Sequence, residues 1–86
     1  MRKRILFYGR VQGVGFRYSS YTEANLMGLT GWVRNLSDGT VEMEVQGTKE
    51  KIQQLIENIS SQRFISIEYK EEEQIEEIEE EGFEIR

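Results

Sequence analysis

Thr30-Gly31-Trp32-Val33-Arg34-Asn35-Leu36, then Ser37-Asp38-Gly39, then Thr40-Val41-Glu42-Met43-Glu44-Val45-Gln46: two runs that read as strands meet across a short turn. The second run alternates without a break. Val41, Met43 and Val45 point one way, and Thr40, Glu42, Glu44 and Gln46 point the other, toward solvent. Asp-Gly between two such runs is the strongest short-range hairpin signal a sequence carries. An antiparallel hairpin over residues 30–46 is therefore the anchor of the fold.

Reading outward from it, both flanks are helical. Tyr18 to Met27 lacks glycine, and the spacing predicts a helix with Tyr21, Ala24 and Met27 or Asn25 on one face and Gly28 as its left-handed stop. On the other side Thr48 is placed to cap a second helix, with Glu50 near the positive end of its dipole. Ile52, Leu55, Ile56 and Ile59 fall at i, i+3, i+4 and i+7, the clearest helical stripe in the chain. Lys3 to Tyr8 is a run rich in Ile, Phe and Tyr that reads as a buried strand, and Arg63 to Tyr69 alternates with Ile65, Ile67 and Tyr69 on one side. Glu71 to Glu81 reads as a solvated connector. Gly82-Phe83-Glu84-Ile85-Arg86 reads as a short last strand. The order is β-α-β-β-α-β plus a short C-terminal strand, an α+β class. It predicts a ferredoxin-like sandwich, with two helices on one face of a mostly antiparallel sheet.

The 86 residues form one expected domain, 1–86, with no internal repeat or linker. At 37% apolar and 31% charged residues, the chain can bury a small core and is not of disordered composition. No apolar run approaches a membrane span, and Ile5-Leu6-Phe7-Tyr8 after the basic start is too short for a signal-peptide core. Cysteine and histidine are both absent. That removes disulfides, thiolate nucleophiles, the commonest metal ligands and the usual neutral-pH base. The cysteine-free composition fits a cytoplasmic location. Residues 1–43 carry a net +3 and residues 44–86 a net −8, giving −5 for the chain. An acidic domain with outward Thr40, Glu42 and Glu44 lacks the basic, aromatic sheet face that nucleic-acid binding needs. The basic half is suited to one small anion.

Between the first strand and first helix lies Gly9-Arg10-Val11-Gln12-Gly13-Val14-Gly15-Phe16-Arg17. Glycines at a helix start let backbone N–H groups wrap an anion, and Arg17 adds a planar donor matched to phosphate. The plain alternative is a tight strand-to-helix turn carrying an exposed arginine. The loop is neither a Walker loop nor a dinucleotide fingerprint, because no Gly-Lys-Ser/Thr follows and the glycine spacing differs. Asn35 just before Ser37-Asp38-Gly39 reads either as a turn residue or as a polar group held at a strand end. Trp32, Phe16 and Tyr18 read as packing residues. Arg10 and Arg34 are either contributors to local positive potential or ordinary surface residues.

The segments Gly9 to Arg17, Gly28-Leu29-Thr30-Gly31-Trp32-Val33-Arg34-Asn35, and Asp38-Gly39 with Val41-Glu42 resemble the two signature segments of the acylphosphatases. The closing Gly82 to Arg86 is similar to that family's last strand. The resemblance implies hydrolysis of an acyl phosphate to a carboxylate and inorganic phosphate, by a monomer, with no metal, cofactor or covalent phosphoenzyme. It implies a catalytic Arg17, a catalytic Asn35, and a phosphate cradle of Gln12, Gly13, Val14, Gly15, Phe16 and Arg17. The partners so implied are a small acyl phosphate and phosphate, with no nucleic acid and no membrane. Two other readings are a noncatalytic phosphate-binding module and a carbamoyl-phosphate-handling domain, as in the much longer hydrogenase-maturation carbamoyltransferases.

Overall fold

The computed structural model describes all 86 residues. Its elements are β1 (Arg2–Arg10), α1 (Phe16–Leu26), β2 (Thr30–Asn35), β3 (Val41–Gln46), α2 (Lys49–Ser60), β4 (Ser66–Ile75) and β5 (Phe83–Ile85). They build a five-stranded sheet in the order β4-β1-β3-β2-β5. Every pairing is antiparallel except β2 with β5. The two helices fill the crossovers and share one face, so the expected β-α-β-β-α-β sandwich with a fifth strand is what forms.

Alternation sets the core. Ile5 and Phe7 of β1, Val33 of β2, and Val41, Met43 and Val45 of β3 are fully buried beneath Phe16, Ala24, Ile52, Leu55 and Ile59 of the helices. Thr48 caps α2 as expected: its hydroxyl accepts from the Lys51 N–H at 3.2 Å. In the hairpin, Gly39 adopts φ +91°, and Asp38 Oδ1 accepts from the Thr40 N–H and hydroxyl, at 3.1 and 2.6 Å. Those two bonds hold the Asp38 carboxyl below its ordinary pKa.

Four expectations need correction. First, the fourth strand runs over Ser66–Ile75, not Arg63–Tyr69, and half of the glutamate run is sheet instead of connector. Basic residues on β1 explain this. Lys3 Nζ donates to Glu72 at 2.8 Å and Arg4 lies 3.6 Å from Glu73, so the interior strand β1 neutralises the edge strand β4. Burial works against the Glu72 charge, yet the hydrogen bonds from Lys3 and Lys70 lower its pKa. Farther along, Glu80 pairs with Arg2, which is 1% exposed and also donates to Glu44. Gln46 clasps the Ile78 backbone through both its N–H and its carbonyl.

Second, Glu42 lies on the face away from the helices but is only 4% exposed. Arg4 and Arg34 cover it, donating at 2.7 and 2.6 Å. Thr40 is likewise buried, against Asp38. Third, α1 begins at Phe16, two residues early, and buries Phe16, Ser20 and Ala24, leaving Tyr21 exposed. Ser20 enters the core because its hydroxyl donates to the Phe16 carbonyl at 2.8 Å, satisfying itself within the helix. Fourth, Tyr69 is exposed and packs its ring at a tilt against that of Tyr8, centroids 5.4 Å apart, away from the buried Ile65.

Candidate active site

The loop after β1 turns on two glycines with positive φ, Gly13 at +74° and Gly15 at +84°. A β-carbon would meet nothing within 4 Å at either position, so backbone angle and not space calls for glycine there. Gly15 is also the N-cap of α1, with no side chain closing the helix end. From Gln12 through Arg17, no backbone N–H donates to any acceptor of the chain. The dipole of α1 adds positive potential at the same place. Open donors at a helix start, with no acidic residue in the first turn, form an anion cradle.

The hairpin fixes this loop in place. Gln12 Nε2 donates to the carbonyls of Leu36 and Thr40, at 2.7 and 2.8 Å, tying the loop to the turn that follows Asn35. A cleft of about 260 Å³ opens between them. Gly13, Gly15, Phe16 and Arg17 line it from the loop and α1, and Asn35 lines it from the end of β2. Arg17 is exposed and makes no ion pair or hydrogen bond with the chain. Asn35 is half-buried, and its Oδ1 is buried without a hydrogen-bond partner.

Five of the residues singled out from sequence thus meet in one cleft. The other two do not line it. The Gln12 side chain is committed to the hairpin, and Val14 lines a neighbouring groove with Ser19, Thr22 and Ile65. Phe16 is 2% exposed with its ring 4.9 Å from that of Phe7, so only its backbone can serve a ligand. Arg34 lies on the opposite face of β2, held by Glu42 and over the Trp32 ring. No three acidic side chains converge in an arrangement that would hold a metal ion.

Three cleft residues lie outside those singled out from sequence, and one of them, Val11, is buried in the core. Tyr18, a packing residue by its sequence setting, is 70% exposed and forms part of the cleft wall. Ile85 forms another part, from β5. Its signal was the alternation Phe83-Glu84-Ile85, which puts it on the side of buried Phe83. The parallel register then sets it beside Val33, two residues before Asn35.

The family model described as "Acylphosphatase" matches residues 3–85. An acylphosphatase of Bifidobacterium longum is 50% identical over 60 residues, which is 70% of this chain and 62% of that protein. The match therefore spans less than two thirds of that relative's length. The crystal structure of an acylphosphatase from Bacillus subtilis superposes with a TM-score of 0.88 at 34% identity, covering 99% of this chain and 97% of that one. The crystal structure of T. kodakarensis HypF superposes with a TM-score of 0.80 at 34% identity, covering 99% of this chain but 12% of that one. No helix is long and apolar enough to cross a membrane.

Proposed function

The chain belongs to the acylphosphatase family, and from that premise we propose that it hydrolyses acyl phosphates to a carboxylate and inorganic phosphate. One observation carries this reading: loop N–H groups without an acceptor in the chain, an unpaired Arg17 and Asn35 share a single cleft.

The chemistry asks for little more. The leaving carboxylate has a conjugate acid of pKa about 4, so no histidine is needed to protonate it. Phosphoryl transfer of this loose kind is driven by positioning and charge stabilisation. The N–H groups of Gln12, Gly13, Val14, Gly15, Phe16 and Arg17, with the Arg17 guanidinium, hold the phosphate oxygens. Gln12 and Val14 take part through their backbone alone, since the Gln12 amide braces the hairpin and the Val14 side chain lines the neighbouring groove. The Asn35 amide orients the attacking water in line with the leaving group. Asparagine is no base, so the water gives its proton to a phosphate oxygen of the substrate. No step calls on a metal or an organic cofactor.

We read the protein as a cytoplasmic monomer. Cysteine-free composition supports the first, and the charged edge strand β4, which discourages strand addition, supports the second. Light scattering at micromolar concentration tests the oligomeric state. A second reading is a domain that hands carbamoyl phosphate to a larger protein; its support is that the chain superposes on 12% of a much longer protein, T. kodakarensis HypF. Hydrolysis of benzoyl phosphate by this chain, with and without Asn35→Ala, separates the readings. Turnover that depends on Asn35 supports the acylphosphatase. Phosphate binding without turnover points to a noncatalytic module.

A further inference from the structure

The walls of the cleft carry more information than phosphate binding uses. Four apolar residues line it, and two of them, Val11 and Phe16, are spent in the core at 1% and 2% exposure. The other two, Tyr18 and Ile85, remain 70% and 43% exposed. The Tyr18 hydroxyl bonds to no group of the chain. They flank the reacting groups: Tyr18 follows Arg17 in α1, and Ile85 sits beside Val33 in the strand that ends at Asn35.

Volume points the same way. The cleft encloses about 260 Å³. At about 30 Å³ for each water-sized group, that is room for roughly eight or nine. A phosphate and its attacking water take roughly five of those places. The remaining space accepts the carbonyl and first carbons of an acyl group, and no carboxylate lines the cleft to bind a cationic one.

We propose that Tyr18 and Ile85 form an acyl-group subsite that selects uncharged apolar and aromatic acyl phosphates. This rests on the acyl-phosphate reading above. The two side chains cover the acyl carbons while the loop holds the phosphate. Acyl surface that Tyr18 and Ile85 remove from water supplies the preference.

The test uses two unreactive analogues, acetonylphosphonate and phenacylphosphonate, titrated calorimetrically against the full chain. Phenacylphosphonate should bind about tenfold more tightly, a typical discrimination for a small apolar pocket. Tyr18→Ala and Ile85→Ala should each bring the two affinities closer, and the double variant should bring them within about twofold. Tyr18→Phe and Ile85→Leu should keep the preference, which guards against a folding effect. Equal affinities in the starting protein, or a preference that survives the double variant, would overturn the subsite. Benzoyl phosphate hydrolysis measured alongside keeps the two readings apart. A preference without hydrolysis rejects the reaction and keeps the subsite, whereas hydrolysis without a preference does the reverse.

Discussion

Replacing Asn35 with alanine should make the protein more stable and nearly inactive. The Asn35 Oδ1 is buried and accepts no hydrogen bond. A buried acceptor left unpaired costs about 1–3 kcal/mol. Truncation removes that cost and gives back part of it as lost packing of a half-buried amide, leaving a net stabilisation of about 1 kcal/mol. For a domain of this size, 1 kcal/mol moves Tm by about 4–8 °C, here upward. The same change deletes the group assigned to the attacking water. Loss of one oriented polar group typically costs about 10²–10³ in rate. The loss should fall on kcat with KM held, the mark of an interaction made in the transition state, and phosphate inhibition should shift less than about twofold. Thermal melts monitored by circular dichroism and steady-state kinetics on benzoyl phosphate, run on one preparation, read both effects. A lowered Tm would mean that Asn35 supports the end of β2, refuting the argument from its unpaired oxygen. A raised Tm with normal turnover would mean that another group positions the water.

Arg17→Lys should weaken phosphate binding by roughly 10- to 150-fold in titrations, because a point charge cannot replace a bidentate fork worth about 1.5–3 kcal/mol. Turnover should be unchanged in excess chelator, and loss of rate restored by magnesium would contradict the mechanism. Glu42→Gln should destabilise by about 1–2 kcal/mol at pH 7, a modest figure because Arg4 and Arg34 are partly solvated. Burial opposes the Glu42 charge, but bonds from Arg34 and Arg4 hold its pKa below the usual carboxylate value. Its contribution is therefore complete above the unfolded pKa of about 4.3 and disappears as pH falls through the folded one. Urea melts of the two proteins should converge on acidification. Gly31→Ala should abolish cooperative melting, since a β-carbon there lies 2.0 Å from the Glu44 carbonyl oxygen, a backbone clash in the sheet that costs more than about 4 kcal/mol.

Local signals were strong where backbone chemistry decides the outcome. Asp38-Gly39, the Thr48 cap and the Gly13/Gly15 loop each dictate conformation within a few residues, and each appears in place. What escaped the reading depends on partners far along the chain. Glu71–Ile75 reads as a solvated run until Lys3 and Arg4 lie alongside it. Glu42 alternates outward, and only arginines from two neighbouring strands take it out of water. The weak apolar pattern of α1 hid its start and its buried face, because Ser20 satisfies its own hydroxyl inside the core. For the site, Arg17 stands out at the end of the glycine loop, whereas Asn35 is singled out only through the family resemblance. Tyr18 and Ile85 do not stand out, since two elements distant in sequence must meet before either has a cleft to line.

The placement of β1 between β3 and β4 has a consequence for synthesis on the ribosome. β1 starts at Arg2, whereas its two neighbours start at Val41 and Ser66. At roughly 5–20 residues per second, the nascent chain waits several seconds after β1 before β4 appears. During that interval the Arg2–Arg10 strand has at least one unpaired edge, with Ile5 and Phe7 on it. Its own basic residues Arg2, Lys3 and Arg4 then lack Glu80, Glu72 and Glu73, which come later in the chain, and their charge keeps like strands apart by repulsion. The same charges that join the finished sheet therefore act first as protection against aggregation of the unfinished one.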